Sequence, residues 1–327
     1  MTQAIFVSRH GGPEVLEARA HDPGEPKAGE ARIRVEAAGV NFIDTYLRAG
    51  AYPRQPPFVL GLEGAGTVER VGEGVTDVQA GQRVAWAQVA SSYADAVNAP
   101  VQSLVEIPKD VPTDIAAAAM LQGMTADYLV YGVRETEPGD VALVHAAAGG
   151  TGQLLVQMLK QAGARVIGTC STEDKAALAR EAGADEVILY TEQDFVAEAR
   201  RLTDGRGVDV VYDSVGKTTF DGSLKALRPR GLMVLFGQSS GAVPPVDLQR
   251  LNQHGSLFVT RPSLAHYVAT REELAMRASA VLTAIALGEL KVRIDRTFPL
   301  ADAADAHRHL EARATRGKVL LLPAGKS

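Results

Sequence analysis

One cysteine, Cys170, occurs in the 327 residues of the chain. A single thiol excludes an internal disulfide and any metal framework assembled from several cysteines. Basic residues are not in excess: 34 Lys and Arg stand against 39 Asp and Glu, for a formal net charge of −5. That balance, without a basic stripe, argues against a nucleic-acid or anionic-membrane partner. No apolar run reaches the length of a bilayer span, and there is no internal repeat or low-complexity tract. The first residues, Met1 to Val7, lack the charged start and long apolar middle of a secretory leader and read as a strand, so the expected location is cytoplasmic. What remains is the composition of a soluble enzyme, 46% hydrophobic and 22% charged, with length for two domains and a large core.

The organisation changes along the chain. Residues 1 to about 125 read as short strands and turns: Ala31–Val35 alternates, 64–72 is a Gly-flanked strand, and Gln82–Ala87 is another. Pro23, Pro26, Pro53, Pro56 and Pro57 break the intervening segments. Beyond Pro138-Gly139-Asp140, strands at Val141–His145, Arg165–Thr169, Glu186–Leu189, Val208–Tyr212 and Gly231–Phe236 alternate with helical stretches that include 174–182 and 194–202. Such alternation implies parallel strands joined by right-handed crossovers, hence an α/β doubly wound sheet. Helical patterns at 271–287 and 301–312 and a last strand, Lys318–Leu322, could join either domain.

The stretch most specific in its chemistry is Val141 to Gln153. It reads as a buried strand, a tight turn of small residues and a helix that begins at once. Ala147, Gly149 and Gly152 fall at the three small positions of the dinucleotide fingerprint, where the backbone must turn, approach a pyrophosphate and let helix and strand pack closely. Gly150 and Thr151 complete the turn, and the helix N-terminus offers N–H donors to a phosphate. An NAD site places an acid at the tip of the second strand, about 20 residues on. Here Cys170 and Ser171 stand at that tip, with Lys175 one turn later. A hydroxyl and an ammonium favour a 2′-phosphate, so NADPH is the expected cofactor. Glu173 and Asp174 fit the first turn of the next helix, where acids complement the dipole.

Asn41-Phe42-Ile43-Asp44-Thr45-Tyr46-Leu47-Arg48, Gly50-Ala51-Tyr52-Pro53, 61–66, 146–152 and Tyr212-Asp213-Ser214-Val215-Gly216 together resemble the zinc-free quinone oxidoreductases of the medium-chain dehydrogenase/reductase superfamily, a group that includes bacterial enzymes and zeta-crystallins. The likeness extends to 236–242, 259–263 and 313–315, over essentially the whole chain. The resemblance implies a Rossmann-type sheet at 126–261 and a partly open, GroES-like β-barrel catalytic domain from 1–125 and 262–327. It also implies NADPH contacts from Asn41, Phe42, Thr45, Gly149, Gly150, Thr151, Gly152, Ser171, Lys175, Tyr190, Ser214, Phe236, Gly237, Ser239, Arg261 and Arg313. A quinone pocket near Asn41, Tyr46 and Tyr52, and a homodimer, come from the same source. Thr151 departs from the commoner valine, without putting phosphate binding in doubt.

The residue types suit these roles, and each also has a plainer reading. Asn41 could fix a carboxamide or a quinone oxygen with its amide, or cap a turn. Tyr46 and Tyr52 offer ring faces and hydroxyl donors, or wall a barrel. Tyr190 could stack on adenine or cover a sheet edge; Arg261 and Arg313 could meet phosphates or only solvent. Relative to zinc alcohol dehydrogenases of the superfamily, Asn41 stands near the first ligand and Leu62 replaces the histidine of the Gly-His-Glu motif, so no metal is expected. His307 and His309 lie two apart on a helix and point different ways. His145 reads as a core histidine, and Glu63 as a structural carboxylate paired with a basic side chain. The expected activity is metal-free, NADPH-dependent reduction of a quinone. The alternatives are reduction of an enone or enoyl double bond, or a crystallin-like binding protein.

Overall fold

A computed structural model describes residues 2–323. The elements run β1 (Gln3–Val7), β2 (Leu16–Ala20), β3 (Glu30–Val40), α1 (Phe42–Ala49), β4 (Phe58–Val59), β5 (Gly64–Val71), β6 (Arg83–Trp86), β7 (Ala96–Pro100), β8 (Val105–Glu106) and α2 (Thr113–Asp127). Next come β9 (Val141–His145), α3 (Gly150–Gln161), β10 (Arg165–Cys170), α4 (Glu173–Glu181), β11 (Glu186–Leu189), α5 (Phe195–Arg201), β12 (Val208–Asp213), α6 (Phe220–Ala226), β13 (Leu227–Leu235), α7 (Gln249–Gln253), β14 (Phe258–Thr260) and α8 (Leu264–Tyr267). The chain closes with α9 (Arg271–Ala286), β15 (Ile294–Pro299), α10 (Ala303–Glu311) and β16 (Lys318–Leu322).

These elements divide into two compact units, one of Met1–Met124 with Val268–Ser327 and one of Thr125–Tyr267. The second boundary follows Tyr267 rather than Arg261. The cause is α8, whose Tyr267 stacks on Tyr128 with ring centroids 4.4 Å apart.

The Thr125–Tyr267 unit is a parallel sheet in the order β11-β10-β9-β12-β13-β14. All five residues of β9 are buried, because helices cover both faces of a central parallel strand and leave no solvent side to alternate with. The order reverses between β9 and β12, which pair through Val210↔Ala142 and Tyr212↔Val144. Open α/β sheets bind ligands at such a switch point, outside the carboxyl ends of the strands.

The other unit holds a sheet in the order β15-β16-β3-β5-β6-β8, with β7 also on β3, and a second sheet β2-β1-β4. One core serves both, including Ile5 and Val7 of β1, Ile33 and Val35 of β3, and Val319 and Leu321 of β16. The chain's last strand returns to its first hundred residues: β16 lies antiparallel to β3, with Val319 opposite Val40. In α10 the buried residues Ala303, Ala306, His307 and Leu310 recur at helical spacing and dock one face on this core.

Candidate functional site

In the parallel-sheet unit the chain turns from β9 into α3 through Ala146, which takes a left-handed φ of 53°. Gly149 caps the helix in extended conformation, with φ −72° and ψ 168°. A Cβ at Gly152 would strike the Ala146 carbonyl oxygen and lie 2.9 Å from the Ala147 backbone. The third small position therefore serves the approach of helix to strand. The first N–H groups of α3 have no intrahelical acceptor and face the switch point.

Ser171 follows β10, and Thr172 caps α4 by accepting the Lys175 N–H at 3.4 Å. Glu173 and Asp174 occupy the first turn of that helix, so no acid stands at the strand tip. Tyr190 follows the neighbouring strand β11, its N–H on the Cys170 carbonyl at 3.1 Å and its side chain exposed. Ser171, Lys175 and Tyr190 thus share the ends of two adjacent strands. Burial pushes the Cys170 thiol up to about 11, so this cysteine is an inert core residue.

Ser214, Phe236, Gly237 and Ser239 gather at the ends of β12 and β13. The Phe236 N–H meets the Asp213 carbonyl at 2.9 Å and the Ser239 N–H meets that of Ser214 at 3.1 Å. A Cβ on Gly237 would fall 2.5 Å from the Ser214 carbonyl oxygen. The buried carboxylate of Asp213, not selected from the sequence, holds this corner together. Its Oδ1 accepts the N–H groups of Val215 and Gly216 at 2.7 and 2.9 Å, and its Oδ2 accepts the hydroxyls of Thr219 and Ser223 at 2.7 and 3.0 Å. Ser223 also contacts His145 Nε2 at 3.0 Å, and His145 Nδ1 contacts Thr169 at 2.9 Å. Burial lowers the pKa of His145, which is a core histidine bonded at both ring nitrogens. Arg261 follows β14 at the sheet edge.

In the barrel-like unit, α1 begins at Asn41. The Asn41 N–H donates to Asp44 Oδ2 at 2.9 Å. Thr45 donates to the Phe42 carbonyl at 2.7 Å. Gly50, with φ 78°, ends the helix and turns the chain back so that the Tyr52 N–H reaches the Tyr46 carbonyl at 3.2 Å. Three half-buried rings result in series: Phe42 to Tyr46 at 6.3 Å between centroids, and Tyr46 to Tyr52 at 5.4 Å. Arg313 follows α10 in this same unit with a left-handed φ of 54°, whereas Lys175 and Arg261 belong to the other.

Beneath α1 lies a polar cluster that the sequence only hinted at. Lys318, the first residue of β16, forms a salt bridge with Glu63, and both are buried completely or nearly so. Lys318 Nζ donates to Asn41 Oδ1 at 2.7 Å, and Asn41 Nδ2 donates to Glu63 Oε2 at 2.8 Å and to the Gly39 carbonyl at 3.3 Å. Glu63 Oε1 accepts the Leu121 N–H of α2 at 2.6 Å. Glu63 is thus a structural carboxylate with a basic partner, and the Asn41 amide is engaged at both ends.

Sequence comparison matches residues 27–134 to the alcohol dehydrogenase GroES-like domain and residues 182–321 to the zinc-binding dehydrogenase family. Quinone oxidoreductase 1 of Escherichia coli (strain K12) is 46% identical over 329 residues, which cover 99% of this chain and 100% of that protein. The chain belongs to the quinone oxidoreductase family, within the medium-chain dehydrogenases/reductases. The Escherichia coli quinone oxidoreductase crystallised with NADPH superposes with a TM-score of 0.96, at 99% coverage of this chain and 100% of that one. A mycobacterial protein complexed with NADPH is 49% identical, with a TM-score of 0.95, over 98% of this chain and 100% of its own. A 2-haloacrylate reductase of Burkholderia sp is 43% identical over 99% of both chains.

Proposed function

We propose that this protein is an NADPH-dependent quinone oxidoreductase. The observation that carries the reading is the β9–α3 turn at the switch point of a parallel sheet, in a chain 46% identical throughout to a quinone oxidoreductase. Bound NADPH supplies a hydride from its nicotinamide. The N-terminus of α3, with Gly149, Gly150, Thr151 and Gly152, holds the pyrophosphate. Ser171 and Lys175 would hold the 2′-phosphate, and Tyr190, after β11, would meet the adenine. Ser214, Phe236, Gly237 and Ser239 line the nicotinamide half, with Arg261 as a further cationic contact. Phe42, Tyr46 and Tyr52 form a slot for a flat conjugated acceptor, and a tyrosine hydroxyl stabilises the charge that develops on its oxygen. Asn41 and Thr45 set the start of the helix that presents those rings.

Zinc takes no part in this reading. Where a first metal ligand is expected, Asn41 meets the ammonium group of Lys318, a cation that opposes a dication. Zinc sites of this superfamily are built on thiolates, and the single cysteine is a buried strand residue of the other unit. Among the described residues no group of three or more His, Cys, Asp and Glu could hold a metal ion.

The same reading includes a cytoplasmic homodimer. Among the described residues no helix is long and apolar enough to cross a membrane. Strand β14 ends its sheet with Phe258 62% and Val259 39% exposed. An open apolar edge strand is suited to pairing with a second copy about a two-fold axis.

The test is an acceptor panel. NADPH oxidation with 1,4-benzoquinone should be saturable and survive exhaustive chelation. Turnover with a 2-haloacrylate or an enone, but not with a quinone, would replace this reading with that of a double-bond reductase, the activity for which the Burkholderia relative is named.

A further inference from the structure

The cluster beneath α1 joins four chain segments that are remote in sequence. Glu63 lies between β4 and β5, Asn41 starts α1, Leu121 belongs to α2, and Lys318 begins β16, 255 residues from Glu63. Two charges with almost no exposure are retained here although a well-packed apolar pair of similar volume is often as stable or more so. Space has been cleared for them. A Cβ at Gly39 would overlap Glu63 Oε2 and come within 2.9 Å of Lys318 Cε. Besides the Leu121 N–H on Glu63 Oε1, both charges meet one group, the Asn41 amide, whose oxygen faces Lys318 and whose nitrogen faces Glu63. A primary amide between an ammonium and a carboxylate has one orientation and not its flipped alternative. Asn41 in turn fixes the first turn of α1, through its N–H on Asp44 and its carbonyl under the Asp44 N–H at 3.0 Å. That turn carries Phe42 and, one turn on, Tyr46, against which Tyr52 packs.

We infer that Lys318 and Glu63 are positioning residues for the acceptor: their ion pair locks the Asn41 amide, and through it the head of α1 and the Phe42–Tyr46–Tyr52 slot. The inference rests on the reading that this slot receives the quinone. It assigns a functional role to β16 and gives a reason for a buried charge pair where apolar pairs are often as stable.

The test is the double variant Lys318→Met/Glu63→Gln, which leaves neither charge stranded. The expected result is a folded protein whose KM for 1,4-benzoquinone rises so that kcat/KM falls at least tenfold. Its NADPH affinity, read by fluorescence titration, should fall by less than the quinone kcat/KM, since the phosphate contacts proposed for Gly149–Gly152 and Lys175 belong to the other unit. Quinone kinetics within twofold of the parent would overturn the inference and leave the pair a purely structural one. If the double variant does not fold, Gly39→Ala decides. It keeps both charges but displaces the Glu63 carboxylate, and it should give the same KM-directed loss; parental quinone kinetics in folded Gly39→Ala would overturn the inference. Tyr46→Ala tests the slot itself, since its ring lies between those of Phe42 and Tyr52. If it too keeps parental quinone kinetics, the placement of the acceptor on residues 41–52 is what falls.

Discussion

Tyr93 donates its hydroxyl to Asp44 Oδ2 over 2.9 Å, while Asp44 Oδ1 is buried without any hydrogen-bond partner. The hydrogen bonds behind this pair run in one direction. Arg48 can only donate, so His307 Nδ1 accepts from it at 2.9 Å. The His307 proton then sits on Nε2, 3.3 Å from Tyr93 Oη, and the tyrosine proton is left for Asp44. Burial holds His307 down at about 3, with Arg48 adding to the effect. Burial raises Asp44 to about 7, against the pull of the Asn41 N–H and Tyr93.

The two groups give opposite pH dependences. Asp44 in the folded chain keeps a proton that the unfolded chain releases near pH 4, so its contribution is full below about pH 4 and is lost as pH rises through the folded value. His307 is the reverse: its contribution is full above about pH 6.5, where the unfolded imidazole is also neutral, and is lost as pH falls. Between about pH 4 and 6.5 the slopes oppose, each at most about 1.4 kcal/mol per pH unit. Asp44→Asn removes the first. Its unfolding free energy in urea should therefore rise with pH across this window more steeply than the parent's. Parallel profiles for the two proteins would mean that Asp44 titrates as an ordinary carboxyl.

A second prediction concerns the turn into α3. Gly152→Ala places a methyl group against the Ala146 carbonyl and the Ala147 backbone, neither of which is a flexible side-chain end. The helix must shift off β9 and take its N–H donors with it. NADPH affinity is expected to fall at least tenfold, about 1.4 kcal/mol, with the quinone KM little changed in the folded variant. Unaltered NADPH titration would remove the N-terminus of α3 from the pyrophosphate site.

How much of this was readable in advance depends on whether the signal is local. The β9–α3–β10 unit was legible because a strand, three small residues and a helix lie side by side in sequence, and β16 was legible as an apolar run after Gly317. The separate roles of His307 and His309 followed from helical spacing; His307 faces Tyr93, and His309 meets Asp295 at 2.7 Å. The helices α1 and α2 lie in a region whose sequence reads as strands and turns. The first is short, between Asn41 and Gly50, and its Thr, Tyr and Ile resemble strand residues. The second has buried alanines at four consecutive positions, Ala116 to Ala119, so no polar face betrays its period. The partner of Glu63 could not be named, since nothing near residue 63 points to Lys318. Asp213 gives no distinctive signal, because its role is to bind backbone N–H groups of its own loop, which any Asp after a strand could do.

Cofactor preference is the third prediction. The tip of β10 carries Ser171 in place of an acid, and Lys175 lies in the first turn of α4. Only NADPH has a 2′-phosphate for a charge-assisted contact with that ammonium. Lys175→Ala should weaken NADPH by tenfold or more and leave NADH within about twofold, narrowing a preference that the parent holds for NADPH; a tenfold loss is about 1.4 kcal/mol. Equal losses for both cofactors would reduce Lys175 to a helix-surface residue.

The last prediction separates ring from hydroxyl at Tyr52. Its ring packs on Tyr46 at 5.4 Å, and Gly50 is what returns the chain to that position. Tyr52→Phe keeps this packing and removes the donor, whereas Tyr52→Ala removes both. If the hydroxyl stabilises the oxyanion that forms as the quinone is reduced, Phe should lower kcat and kcat/KM together, by tenfold or more. If the ring is only a wall, Phe should be nearly silent and Ala should raise the quinone KM with kcat retained. NADPH affinity should hold in both variants, since the phosphate contacts proposed for Gly149–Gly152 and Lys175 belong to the other unit. Quinone kinetics of Tyr52→Ala equal to the parent's would take Tyr52 out of the slot. The acceptor would then have to lie against Phe42 and Tyr46 alone.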